Sequence, residues 1–199
     1  MTRDVARFDR VASSFNAPVV LGLDPGFSFL GAAVVEIQPR GERVLALELV
    51  RTAKESKKRQ VLAADDNVRR AREICASLQA IVSDRKPVLF ACESMSFPRN
   101  SSVAAKMALG WGVVAAVAQL NGIPIVQVSP QSMKKRLCGV HNATKEQLEE
   151  ALVARYGEKI IKLFDGPKGQ REHPMDALGA IVACLESEPC RMARMMVTA

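Results

Sequence analysis

Two short runs in this chain, PVVLGLD at 18–24 and VLFACE at 88–93, are almost wholly apolar until each ends on a carboxylate. A strand that is apolar at successive positions is buried on both faces, as happens in the middle of a sheet flanked by helices. That requirement selects the α/β class.

The rest of the pattern agrees with it. Pro25-Gly26 marks a turn, and Phe29–Ile37 and Val44–Thr52 are β-rich runs joined by Pro39-Arg40-Gly41, which predicts an antiparallel three-stranded opening. From Gln60 to Val82 the period changes: Val61, Val68, Ala71, Cys75, Leu78 and Val82 recur at helical spacing. Lys54, Lys57, Lys58, Arg59, Arg69, Arg70 and Arg72 crowd the approach and outer face of this helix, a pattern that reads first as solvated charge. An Ala-rich helix is expected over 101–121 and a strand over Ile123–Val128. Thr144 and Gln147 form a capping box that opens a helix ending near Gly157. Pro174 is expected at the first position of a last helix, with Ala177, Leu178, Ile181, Cys184 and Leu185 as its buried stripe. The predicted order is βββ-α-β-α-β-α-α, a mixed five-stranded sheet flanked by helices. Residues 1–17 read as a lead-in, 18–187 as one domain and 188–199 as a tail.

Composition narrows the function. With 48% hydrophobic and 25% charged residues among 199, the chain is neither disordered nor collagen-like. A net charge of +7 favours a polyanionic partner, nucleic acid first, although solubility alone is the plainer reading. Apolar stretches such as Gly112–Ala118 fall short of the roughly 20 residues of a bilayer span, so no membrane partner is expected. Cys75, Cys92, Cys138, Cys184 and Cys190 form no CxxC pair, and four of them sit among apolar or small neighbours. That pattern reads as reduced thiols in a reducing compartment. Cys138 and His141 have ligand spacing but no second pair for zinc. The N-terminal segment has no apolar signal-peptide core, so a cytoplasmic, unsecreted protein is expected.

Asp24 and Glu93 terminate the two apolar strands, where α/β folds gather their sites. An acid beside a hydrophobic strand must be solvated, paired or bound to a metal. The H-x-x-D of His173 and Asp176 places a His at the expected N-cap and an Asp at the third helical position, on the same side. Singly these are ordinary strand-end acids and a helix-dipole partner. Together they can converge on one or two divalent cations, the arrangement phosphodiester hydrolysis calls for. Carboxylates suit Mg²⁺, and a His suits Mn²⁺ somewhat better or serves as a base.

Four segments, LGLDPGFSFLG (21–31), ACESMSFPRN (91–100), SPQSMKKRLCG…ATKEQ (129–147) and HPMDAL (173–178), resemble those of RuvC-type Holliday junction resolvases, nucleases of the ribonuclease H-like fold. The resemblance runs from about residue 19 to 187. It implies that Asp24, Glu93 and Asp176 are catalytic acids that hold metal, and His173 falls where the family carries Asp or His. Lys134 and Lys145 fall on basic positions near the scissile phosphate, and Arg99 and Asn100 fit the pattern. One position departs from it. The family places a wedging aromatic three residues after the strand-end Glu, where this chain has Ser96, with Phe97 one place later. Either Phe97 acts through an altered loop or junction opening is weaker. The resemblance further implies a Mg²⁺-dependent homodimer, with Mn²⁺ as a substitute, that resolves branched DNA and pairs through helix 101–121. A branch-migration helicase is a partner the sequence neither requires nor excludes. The alternatives are a nuclease of the same fold acting on RNA, flaps or forks, and a nuclease-silent junction binder.

Overall fold

A computed structural model describes residues 17–55, 62–96 and 98–198 of the chain. The lead-in up to residue 16, Val61, Lys57, Lys58, Arg59 and Phe97 lie outside the described residues. Five strands, β1 (Val19–Pro25), β2 (Phe29–Gln38), β3 (Gly41–Arg51), β4 (Leu89–Glu93) and β5 (Ile125–Val128), form one sheet in the order β3-β2-β1-β4-β5. The first three are antiparallel, whereas β1–β4 and β4–β5 are parallel. The sequence expectation of a mixed, helix-flanked sheet holds.

Strand alternation divides the core in two. Leu21, Leu23, Leu30, Ala32, Val34, Phe90 and Cys92 face α1 (Ala63–Arg85) and α2 (Ser101–Leu120). Val20, Ala33, Val35, Leu89 and Ala91 face the opposite layer, α3 (Pro130–Cys138), α4 (Lys145–Tyr156), α5 (Glu172–Cys184) and α6 (Glu188–Thr198). With a period of two, Asp24 and Glu93 belong to this second face. The β1–β4 register ends at Leu23 opposite Cys92, so the two acids are the next residues along adjacent parallel strands.

Four expectations are corrected. Helix α1 is turned from the predicted phase: it buries Asp66, Arg70, Ile74, Leu78, Ile81 and Val82, while Val68 is 58% exposed. Counting only apolar residues misses a face whose first two turns are polar side chains buried with hydrogen-bond partners. Residues 130–138 form a helix that the predicted order does not contain, with Ser129 accepting from the Ser132 N–H and Pro130 in the first turn. The expected C-terminal tail is α6, and its Cys190 and Ala193 are buried, with Cys190 Sγ 3.8 Å from Cys184 Sγ. Helix α2 is twenty residues long with Lys106 as its single charge, long and apolar enough to cross a bilayer by length and composition. It lies on the sheet through Gly110, Val114, Val117 and Ala118. The capping box of Thr144 with Gln147 forms as expected, and Gly157 (φ +82°) follows α4.

Candidate active site

The acid-bearing ends of β1 and β4 lie under the first turns of α5. Helix α5 comes this close because of two glycines. A Cβ on Gly22 would stand 2.1 Å from the Ala177 carbonyl oxygen, and one on Gly31 would stand 2.2 Å from that of His173. No side chain fits in either gap. Gly31 is also the register partner of Asp24, so the approach delivers His173 directly to that acid.

His173 does not cap α5. Arg171 is the N-cap, which puts His173 at the second helical position and Pro174 at the third. Proline is tolerated there because the first intrahelical bond is donated by the Met175 N–H to the Arg171 carbonyl, at 3.1 Å. The imidazole Nδ1 lies 2.7 Å from Asp24 Oδ2, and the ring stacks on Phe29, centroids 5.3 Å apart and planes 20° from parallel. The bond to Asp24 raises the His173 pKa, against the opposing effect of burial.

The other two acids are strained electrostatically. Burial, then the charges of Asp24 and Asp176, push the Glu93 carboxyl up to about 8. Burial and Asp24 push Asp176 up to about 6. Lys145 and Lys134 partly oppose the shift of Glu93, which places both lysines within electrostatic range of the acids. Lys145, at the start of α4, bonds Glu172 Oε2 at 2.6 Å. Burial would lower its pKa, but Glu172 and the nearby Asp176 and Asp24 outweigh that and raise it. A second link between α4 and α5 is the bidentate pair of Arg171 with Glu149, at 2.6 and 3.2 Å. Arg99 is exposed ahead of the Asn100 cap of α2, and no hydrogen bond or ion pair joins it to the acids among the described residues.

Among the described residues no three His, Cys, Asp or Glu side chains stand close enough to form a ready-made metal cage. The donor chemistry nonetheless suits a hard divalent cation. Asp24, Glu93 and Asp176 supply carboxylate oxygens, and the rise that burial and then mutual repulsion impose on Glu93 and Asp176 is one a bound cation would reverse. Sequence reasoning did not find Phe29, Glu149, Arg171 or Glu172, whose partners are distant in the chain. Gly22 and Gly31 were visible inside the LGLDPGFSFLG motif, yet their packing reason appears only with α5 in place.

A mixed sheet in this strand order, helices on both faces and an acid cluster where β1, β4 and α5 meet define the ribonuclease H-like nuclease class. The family model for crossover junction endodeoxyribonuclease RuvC matches residues 20–184, and the chain belongs to that family. A curated relative of that name from Shewanella frigidimarina is 27% identical over 164 residues, 82% of this chain and 84% of the relative. One from Moorella thermoacetica is 28% identical over 139 residues, covering 70% and 78%. T. thermophilus RuvC in complex with a Holliday junction substrate superposes with a TM-score of 0.68 at 26% identity, covering 90% of this chain and 97% of that one. The yeast mitochondrial Holliday junction resolvase Ydc2 shares the fold, with a TM-score of 0.58 at 9% identity, covering 94% and 85%.

Proposed function

We propose that this chain is a metal-dependent endonuclease that resolves four-way DNA junctions by paired phosphodiester hydrolysis, acting as a homodimer on cytoplasmic, nucleoid DNA. The observation that carries the reading is the meeting of Asp24, Glu93 and Asp176, where burial and then mutual repulsion raise the Glu93 and Asp176 carboxyls, beside the lysine at the start of α4. A pure DNA binder would have no use for buried acids facing phosphates. Branched DNA is the substrate held in the complex of the 26% identical T. thermophilus relative.

Asp24, Glu93 and Asp176 would hold the cation, Mg²⁺ with Mn²⁺ as substitute. When bound, it supplies positive charge for the attacking and leaving oxygens. Donation of the Nδ1 proton to Asp24 leaves Nε2 as the basic nitrogen of neutral His173, the atom suited to take a proton from the attacking water. Phe29 fixes the plane of that ring. Lys134 and Lys145 offset charge on the phosphate, Lys145 by exchanging Glu172 for it.

The dimer is assigned to α2. Its Ala105, Ala108, Leu109, Gly112 and Ala116, with Ala71 and Cys75 of α1, line an exposed apolar groove, and two incisions in a symmetric junction need two sites related by a twofold axis. The test is cleavage of end-labelled four-way junction, fork, flap, linear duplex and RNA–DNA hybrid with Mg²⁺, alongside Asp24→Asn. Paired junction incisions by the parent, with none by the junction-binding variant, support the proposal. Cleavage confined to forks, flaps or the hybrid would overturn the junction assignment, and equal activity of Asp24→Asn would overturn the site.

A further inference from the structure

The turn that follows Asp24 is clamped from the far side of the sheet. Arg70 of α1, only 1% exposed, points its guanidinium at it. Its Nε donates to Thr52 Oγ1 at 2.9 Å, and its Nη2 donates to Ser28 Oγ at 2.8 Å and to the Phe27 carbonyl at 3.3 Å. The guanidinium carbon lies 4.4 Å from the centroid of the Phe27 ring. Thr52 completes the clamp, its hydroxyl donating to the Phe27 carbonyl at 2.6 Å and its N–H to the Ser28 carbonyl at 3.0 Å. Helix α2 closes the other side, where a Cβ on Gly110 would meet the Pro25 carbonyl oxygen at 3.4 Å.

The polarity of this arrangement is informative. Among the described residues, every hydrogen-bond partner of Arg70 is neutral: two hydroxyls and one carbonyl. A buried cation with neutral partners is a poor device for stability, since an apolar side chain of similar size would avoid its desolvation. The rigid planar fork instead holds several points of one loop at fixed geometry, which an apolar side chain cannot do. That loop is the four residues between Asp24 and Phe29, whose ring stacks on His173. Asp24, which bonds the imidazole, and Phe29, which stacks on it, therefore border the segment Arg70 holds.

We infer that Arg70 is a positioning residue: by fixing the turn at Pro25–Ser28 it sets the Asp24 carboxylate and the Phe29 ring, and through them the orientation of His173. The inference rests on the endonuclease reading for its activity arm only. Two measurements on the full chain test it. Hydrogen exchange of the metal-free protein reads the amides of residues 26–31 against those of β4. Junction cleavage at increasing substrate, with Tm alongside, separates kcat from KM. Arg70→Met should speed exchange in the turn by tenfold or more with β4 unchanged, and lower kcat by tenfold or more at unchanged KM. Arg70→Lys should recover part of both losses. Should Arg70→Met not fold, Thr52→Val and Ser28→Ala remove the same bonds from the other end, with smaller effects in the same two readouts. Exchange that quickens uniformly across the sheet, or kcat within twofold of the parent, would show Arg70 to be structural only and overturn the inference. If the parent itself does not cut junctions, the endonuclease reading fails, and a turn-confined change in exchange still decides the positioning role.

Discussion

Helices α5 and α2 are both apolar and both lie on the sheet, yet they are buried in opposite ways. Nine residues of α5 are buried, in a helix of thirteen, and its backbone touches β1 and β2 at Gly22 and Gly31. In α2 only Gly110, Val114, Val117 and Ala118 are buried, and a Cβ on Gly112 would meet nothing within 4 Å. The same residue types thus serve two ends. Under α5, the glycines of β1 and β2 let a helix backbone come close enough to deliver His173 and Asp176 to Asp24. On α2 they leave a groove that a second chain can fill.

The largest expected effect is on the α5 side. Gly31→Ala drives a methyl into the His173 carbonyl, so that one of the two backbones has to shift. It should cost about 3 kcal/mol of stability and lower cleavage on the order of a hundredfold, because the site is displaced by about an ångström. Melting and single-turnover cleavage check this, and a parental rate would mean α5 does not set the site. On the α2 side, Leu109→Glu should leave the Tm of the lone chain almost unmoved, as Leu109 is 41% exposed. It should weaken dimerisation on the order of a hundredfold by placing an unpaired charge in the groove. Sedimentation of parent and variant decides it, and an unshifted dimer would move the interface elsewhere.

His173→Ala tests a smaller effect. A rate loss of about tenfold or more is expected for a base or ligand, whereas a parental rate would reduce the histidine to a packing partner of Phe29. The smallest effect is a pH dependence of the metal-free fold. Glu93 has a raised pKa, about 8 against 4.5 for the ordinary carboxyl, so the native state keeps a proton that the unfolded chain releases. Its stabilising contribution is present below about 4.5 and is lost as pH rises through about 8. Glu93→Gln cannot ionise, so at pH 8.5 in chelator it should exceed the parent on the order of 2 kcal/mol. Equal urea midpoints at that pH would refute the raised Glu93 carboxyl.

Much of the framework was legible because it is local. The two apolar runs end on the acids that meet at the site, and the Thr144 capping box starts α4 where Lys145 sits. Misreadings arose where burial and polarity part company. Arg70 counted as surface charge because periodicity scores residue type, and its hydroxyl partners Thr52 and Ser28 are 18 and 42 residues away. Helix α3 has its start signal in Ser129-Pro130 but is too short to show a period. The wedge question at Ser96 and Phe97 was posed by sequence, and Phe97 lies outside the described residues.

The ion pair of Lys145 with Glu172 has a consequence for how DNA affinity responds to salt. A lysine that neutralises a phosphate normally frees a condensed counterion, so each such contact steepens the fall of affinity with ionic strength by about one unit of logarithmic slope. In the proposed role Lys145 leaves Glu172 behind, and that newly unpaired carboxylate gathers a cation from solution as the phosphate gives one up. The two exchanges oppose each other. Junction binding through Lys145 is then buffered against ionic strength, and Glu172→Gln makes the chain a tighter binder in dilute salt with a steeper decline as salt is added.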